Sequence, residues 1–297
     1  MTEPVQATID PAQFSAGPPH RREGRRSRRM PGARPSLAGR AARFLLPVGF
    51  GAAVLGLWYL TSYRLLSPDR RFIMPPPHQV IKVGFLDPDN FKDEIVPLWT
   101  TTRVALVGLV VAVILGFAIA MLMSQARWVE TTLYPYAVAL QTIPVLALVP
   151  LIAFVLGYGF WSRVIVCILI AIFPIITNTL FGLQAADQPM HDLFTLHGAG
   201  RLTRLRKLQL PNALPAIFTG LRISAGLSVI GAIVGDFFFR QGEPGIGLQI
   251  DNYRNSLQSE QLFASIILSS ALGLIVFWAF GWLNKIATGS WYRPGRG

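Results

Sequence analysis

Six apolar runs, each about 20 residues or longer, follow one another along this chain and leave few folds open to it. They lie near Phe44–Tyr63, Thr101–Ser124, Leu133–Gly157, Trp161–Leu183, Leu214–Phe239 and Leu262–Ile286. A helix of ~20 residues rises ~30 Å, the thickness of a bilayer's hydrocarbon core. One such run suits the buried helix of a large soluble protein; six in succession do not. Charged residues make up only 14% of the chain, against about a quarter in soluble domains, and they collect at the termini and in short segments between the runs. The pattern predicts an all-α polytopic membrane bundle of six transmembrane helices over residues 44–286, with tails at 1–43 and 287–297.

Loop charge sets the expected orientation. Nine arginines lie between Arg21 and Arg43, four basic residues follow the fourth run (Arg201, Arg204, Arg206, Lys207) and three lie near the end (Lys285, Arg293, Arg296). The segment 64–100 balances five basic residues against five acids, and 240–261 has two against three. Basic residues stay cytoplasmic, so both termini are expected inside, in agreement with an even number of spans. The first 43 residues are rich in Pro, Gly, Ser and Arg without apolar periodicity, which reads as a disordered tail suited to anionic membrane lipid rather than to nucleic acid. Met74-Pro-Pro-Pro-His78 reads as a stiff extended connection on the outer side. Arg103, Arg163 and Arg222 fall near run ends, where a long side chain reaches the headgroups.

Catalytic chemistry finds no foothold. The chain has one cysteine, Cys167, so no internal disulfide and no cysteine metal centre is possible. His20, His78, His191 and His197 have no metal-site spacing, and no Gly-rich phosphate loop ends in Lys-Ser/Thr. Gly245-Ile-Gly247 after Pro244 is a turn, not a dinucleotide fingerprint. No cofactor is expected on this chain.

The segment 185–213 stands out instead. Met190, Leu193, Phe194 and His197 recur at helical spacing, Gly198 breaks the pattern, and Leu202, Leu205 and Leu208 resume it opposite a row of arginines before Leu210-Pro211 ends the element. Two short amphipathic helices at an angle suit either the headgroup layer or the groove of a partner protein.

Gly198, then Leu208, Leu210 and Pro211 at the matching intervals, resembles the Glu-Ala-Ala loop of permease subunits of bacterial ATP-binding-cassette importers. Asp192-Leu193-Phe194 stands where Glu-Ala-Ala is usual, and Leu208 where Ile is common. Gln141-Thr-Ile-Pro144 with Ala147-Leu-Val-Pro150, Asn212 to Arg222, Asp236 in place of a usual Glu, and Gly245-Ile-Gly247-Leu248 resemble the nitrate/sulfonate/taurine branch. The resemblance covers about residues 45–290. It implies the type I importer permease fold, a pair of permease subunits, two cytoplasmic ATP-binding subunits that hold ATP and Mg, and an extracytoplasmic substrate-binding protein. It further implies that Asp192, Leu193, Phe194, Gly198, Leu205, Leu208, Leu210 and Pro211 form the coupling loop to the ATPase. The transported solute is expected to be small, of the sulfonate, nitrate or vitamin-precursor class.

Helix-breaking Pro144, Pro150 and Pro174, with the polar Gln141, Thr142, Thr177 and Asn178 at membrane depth, mark either a translocation path or polar packing between helices. Gly108, Gly116, Gly220, Gly226, Gly231 and Gly235 are expected to admit neighbouring helices closely. Asp236 has three readings: contact with a binding protein, an ion pair with Arg240, or a place in the path. The alternative class, a secondary transporter or channel without an ATPase, calls for an inverted repeat or several intramembrane charges, and neither is visible.

Overall fold

The computed structural model describes residues 37–289. Among them the chain is helical: α1 (Leu37–Leu60), α2 (Pro77–Val80), α3 (Pro88–Gln125), α4 (Arg127–Thr142), α5 (Val145–Leu156), α6 (Phe160–Gln184), α7 (Gln188–Leu196), α8 (Arg201–Arg204), α9 (Leu210–Phe238), α10 (Ile246–Asn255) and α11 (Ser259–Thr288). Contacts divide the chain into two units, Met1–Ala53 and Val54–Gly297. The described part of the first is the opening of α1, which carries Pro47. Most of the basic tail lies outside the described residues, and its last few positions, from Leu37, are already helical.

Among the described residues five helices are long and apolar enough to cross a membrane: Leu45–Leu65, Pro88–Gln125, Phe160–Gln184, Arg201–Phe238 and Ser259–Ala287. The third expected span is not a straight helix. Its residues form α4 and α5, which meet at 96°. Pro144 has no N–H to donate and drives Ile143 into extended backbone (φ −66°, ψ 126°), so the helix ends at Thr142 and restarts at Val145. Pro150 and Pro174 sit inside α5 and α6 without ending them.

Two other spans begin earlier than hydropathy indicates. The Asp87 carboxylate accepts from the N–H groups of Asp89 (3.1 Å) and Asn90 (3.4 Å), and Pro88 occupies the first turn, where its missing donor costs nothing. Helix α3 therefore starts at Pro88 and carries a charged first stretch into its apolar part. At the other site, Leu210-Pro211 does not end a helix. Residues 205–209 adopt a π turn in which the Leu210 N–H bonds to the Leu205 carbonyl, and this wider turn lets Pro211 continue into α9. The helical path thus runs unbroken from Arg201 to Phe238.

Helix α6 packs between α3 and α9 over small side chains. A Cβ built at Gly231 would lie 2.8 Å from the Cys167 Cα, and one at Gly108 would collide with the Cys167 sulfur, so both glycines are required for that approach. Ala105, Ala112, Ala171, Ala225 and Ala232 are fully covered along the same seam. Ser224 Oγ donates to the Ala171 carbonyl at 2.6 Å across it. Gly226 departs from expectation: nothing approaches its Cβ position, and it borders an apolar groove between α9 and α11. Of the proline triplet, only the approach to Pro77 is extended; Pro77 opens α2, and Trp58 Nε1 donates to the Pro75 carbonyl at 3.0 Å.

Candidate functional site: the elbow at α7–α8, the break at Pro144 and the Asp236 cluster

The loop after α6 folds as an elbow. Helix α7 is closed by Gly198, whose φ of +64° is a left-handed conformation that L side chains adopt only under strain. Its N–H bonds to the Thr195 carbonyl, and Ala199 N–H to the Phe194 carbonyl, both at 2.9 Å. The space around Gly198 is open, so the glycine serves the backbone angle rather than a close approach. Helix α8 then leads away toward α9.

The eight residues assigned to this loop divide into two sets. Leu193 is 47% exposed, and with Phe194, His197, Ala199, Thr203 and Lys207 it lines an open cavity of about 450 Å³. Asp192 is exposed and accepts from Gln188 Nε2 at 3.2 Å. Leu205, Leu208 and Leu210 turn the other way. Leu208 is buried, and Leu205 and Leu210 pack on the cluster of Leu183, Ala213 and Ile217, where α6 and α9 meet. Leu205, Leu208 and Leu210 therefore form the seam holding the elbow to the bundle, whereas Leu202, the first of the three-residue steps after Gly198, is 60% exposed.

The residues assigned to a path also separate. Gln141, Thr142, Pro144 and Pro150 are exposed along the bent α4–α5 pair. Thr177 Oγ1 donates to the Phe173 carbonyl at 3.1 Å within α6, and Asn178 Nδ2 to the Pro174 carbonyl at 2.8 Å. Asn178 also abuts Gly220 of α9, where an added Cβ would come within 2.8 Å of its own. Both side chains thus bond within α6, and Asn178 also packs on α9.

Asp236 is wholly buried within the chain, away from its surface. Its partner is not Arg240, which pairs with Asp251. Instead Oδ1 lies 3.2 Å from Arg163 Nη1, and Oδ2 accepts from Thr101 Oγ1 at 2.5 Å. Arg163 does not reach for headgroups: it is 2% exposed and also donates to the carbonyls of Glu243 (2.8 Å), Phe239 (2.7 Å) and Gln241 (3.0 Å). Thr101 Oγ1 accepts from the Ile246 N–H at 2.8 Å. One cluster thus joins α3, α6, the end of α9 and the start of α10. Gly247 makes room for it, since a Cβ there would press 2.8 Å from that of Asp236. Sequence reading missed Arg163 and Thr101 as its members; a lone arginine inside an apolar run was the available signal. Arg103 pairs with Glu243 beside the cluster, and Arg222 stacks on the Phe277 ring at 3.9 Å.

Among the described residues no group of His, Cys, Asp and Glu is placed to hold a metal ion. What the fold presents is an apolar bundle with a broken helix, a locked loop after α9 and a projecting elbow.

Known proteins agree with that description. The family of binding-protein-dependent transport system inner membrane components matches residues 108–287. The formylaminopyrimidine transport permease protein of Halalkalibacterium halodurans is 31% identical over 247 residues, 83% of this chain and 96% of the relative. The bicarbonate transport system permease protein of Synechococcus elongatus is 29% identical over 89% of this chain and 96% of its own length. The taurine transport system permease protein of Escherichia coli is 26% identical over 78% and 84%. With the helices, the elbow and these relatives together, the chain belongs to the binding-protein-dependent inner-membrane component family and is the non-catalytic permease subunit of an ATP-binding-cassette importer.

Proposed function

We propose that the exposed side of the elbow, with Leu193 and Phe194 at its centre, is where the ATP-binding subunit seats and where its motion enters this chain. The observation that carries the reading is the division of the loop. Leu205, Leu208 and Leu210 anchor it to the bundle, while Leu193 and Phe194 face an open cavity of about 450 Å³. An apolar helix face held rigidly by its neighbour suits helix-in-groove docking. ATP and Mg belong to that partner; its closure would draw two elbows together and rock the helices.

The broader assembly follows the same reading. Both termini lie in the cytoplasm, by the excess of basic residues at the tail and elbow. Two copies of the chain form the pathway, because one copy leaves an apolar groove of about 700 Å³ open between α9 and α11, bordered by Ile230, Ile266, Leu274 and Phe277. The exposed break at Gln141–Pro144 borders the path, and the basic N-terminal tail rests on anionic lipid. The substrate is a small solute handed over by the binding protein. Relatives are named for formylaminopyrimidine, bicarbonate and taurine, so the class spans small anions, sulfonates and vitamin precursors.

Cysteine cross-linking tests the docking. The native Cys167 is buried and does not compete. With a cysteine placed in the ATPase groove, Leu193→Cys is expected to cross-link efficiently and Leu208→Cys, buried against the bundle, is not. Equal yields at the two positions, or none at Leu193→Cys, would reject the assignment.

A further inference from the structure

The elbow has a second cavity, which shares no lining residue with the apolar one. It measures about 180 Å³ and is lined by Ser124 and Gln125 at the end of α3, His191 of α7, Arg201 and Arg204 of α8, and Gln209 of the π turn. We infer that this cavity binds a phosphate-like oxyanion, supplied either as free phosphate or as the headgroup of an anionic phospholipid.

The chemistry of the lining is one-sided. Two guanidiniums, an imidazole, two carboxamides and a hydroxyl converge, and none of the six side chains is acidic. Neither arginine forms an ion pair among the described residues. Arg204 is nonetheless held in place, with Nε donating to the Ala199 carbonyl at 3.2 Å, so its terminal nitrogens remain for another acceptor. Gln125 Nε2 donates to Ser124 Oγ at 3.1 Å, which fixes that corner. Guanidinium forks match the geometry of a tetrahedral oxyanion and bond it about twice as strongly as neutral donors do.

Five of the six lining residues, Arg204 among them, are only partly exposed while Arg201 is exposed, and the six arrive from separate stretches of the chain. Arg206 and Lys207, two positions on the same segment, are exposed and stand outside the cavity. Like charges at Arg201 and Arg204 repel each other unless an anion lies between them. An oxyanion here ties the last turn of α3 to both arms of the elbow, and so sets how stiffly the elbow follows the bundle. The inference is independent of what docks on the other cavity.

The test uses the whole transporter, purified with its ATP-binding subunits and binding protein. The thermal midpoint of the permease chain is followed with inorganic phosphate against chloride at equal ionic strength. In a parallel arm it is followed in mixed micelles of phosphatidylglycerol against phosphatidylcholine. A rise of about 2–4 °C is expected for the native chain in at least one arm. The rise is expected to vanish in Arg201→Gln/Arg204→Gln and in Gln125→Glu, which puts a carboxylate into the cavity without changing its size. Arg206→Gln is expected to keep it. A response to phosphate alone identifies a soluble anion, and one to phosphatidylglycerol alone identifies a headgroup. No response in either arm, or the same response in the cavity variants as in the native chain, overturns the proposal.

Discussion

Asp236 shows how much a single buried charge decides in this chain. Its carboxylate is covered completely and held by Arg163 and Thr101, and the arginine in turn secures three backbone carbonyls beyond α9. Removing one partner of such a pair strands the other charge, which costs about 3–5 kcal/mol. Asp236→Ala is therefore expected to lower the thermal midpoint of the purified chain sharply. Asp236→Asn, which keeps an acceptor toward Arg163 and Thr101, is expected to lose less than Asp236→Ala. Equal losses in the two variants would show that the contact to Arg163 and Thr101 is not the cause. A second residue-scale expectation concerns the seam at Cys167. Gly231→Ala places a methyl 2.8 Å from the Cys167 Cα, and forcing α6 and α9 apart is expected to cost about 1–3 kcal/mol, read by the same unfolding assay. At this scale the sequence was only partly legible. Asp236 was visible as an isolated acid, but its partners lie 73 and 135 positions away, and nothing local announces such a pairing.

The elements themselves were far more legible, because an apolar run of bilayer length leaves a helix few alternatives. Runs two, four, five and six reappear as α3, α6, α9 and α11. What hydropathy missed were the places where backbone chemistry overrides composition. The Asp87 cap extends α3 through charged residues, the π turn at 205–209 carries a helix past Pro211, and Pro144 turns one run into two helices. The last of these gives an element-scale prediction. Spin labels at Thr131 and Val155, both exposed, should sit about 23 Å apart across a 96° bend, against about 36 Å in a straight helix. Pro144→Ala restores an N–H to the break, and a shift of the distance distribution toward the longer value is expected. An unchanged distribution would mean that packing, not the proline, makes the bend. The elbow was legible in its two arms and its glycine, but not in its facing: Leu205, Leu208 and Leu210 anchor the arm, while Leu193, Leu196 and Leu202 are exposed.

At the scale of the whole molecule, family membership makes this chain the non-catalytic permease subunit of its transporter. Permeases of this family work in general with ATP-binding and substrate-binding partners. The apolar bundle, the locked loop after α9 and the projecting elbow fit that division of labour. The central claim is that energy enters through the elbow, whose angle depends on the left-handed backbone at Gly198. It is tested most directly by reconstituting the chain with its ATP-binding subunits and binding protein in proteoliposomes, and by measuring uptake and ATP hydrolysis together for the native chain and Gly198→Trp. The variant is expected to reach the membrane and to sustain ATP hydrolysis while uptake per ATP falls at least about tenfold, a loss of about 1.4 kcal/mol in coupling. Undiminished uptake per ATP by Gly198→Trp would contradict the account.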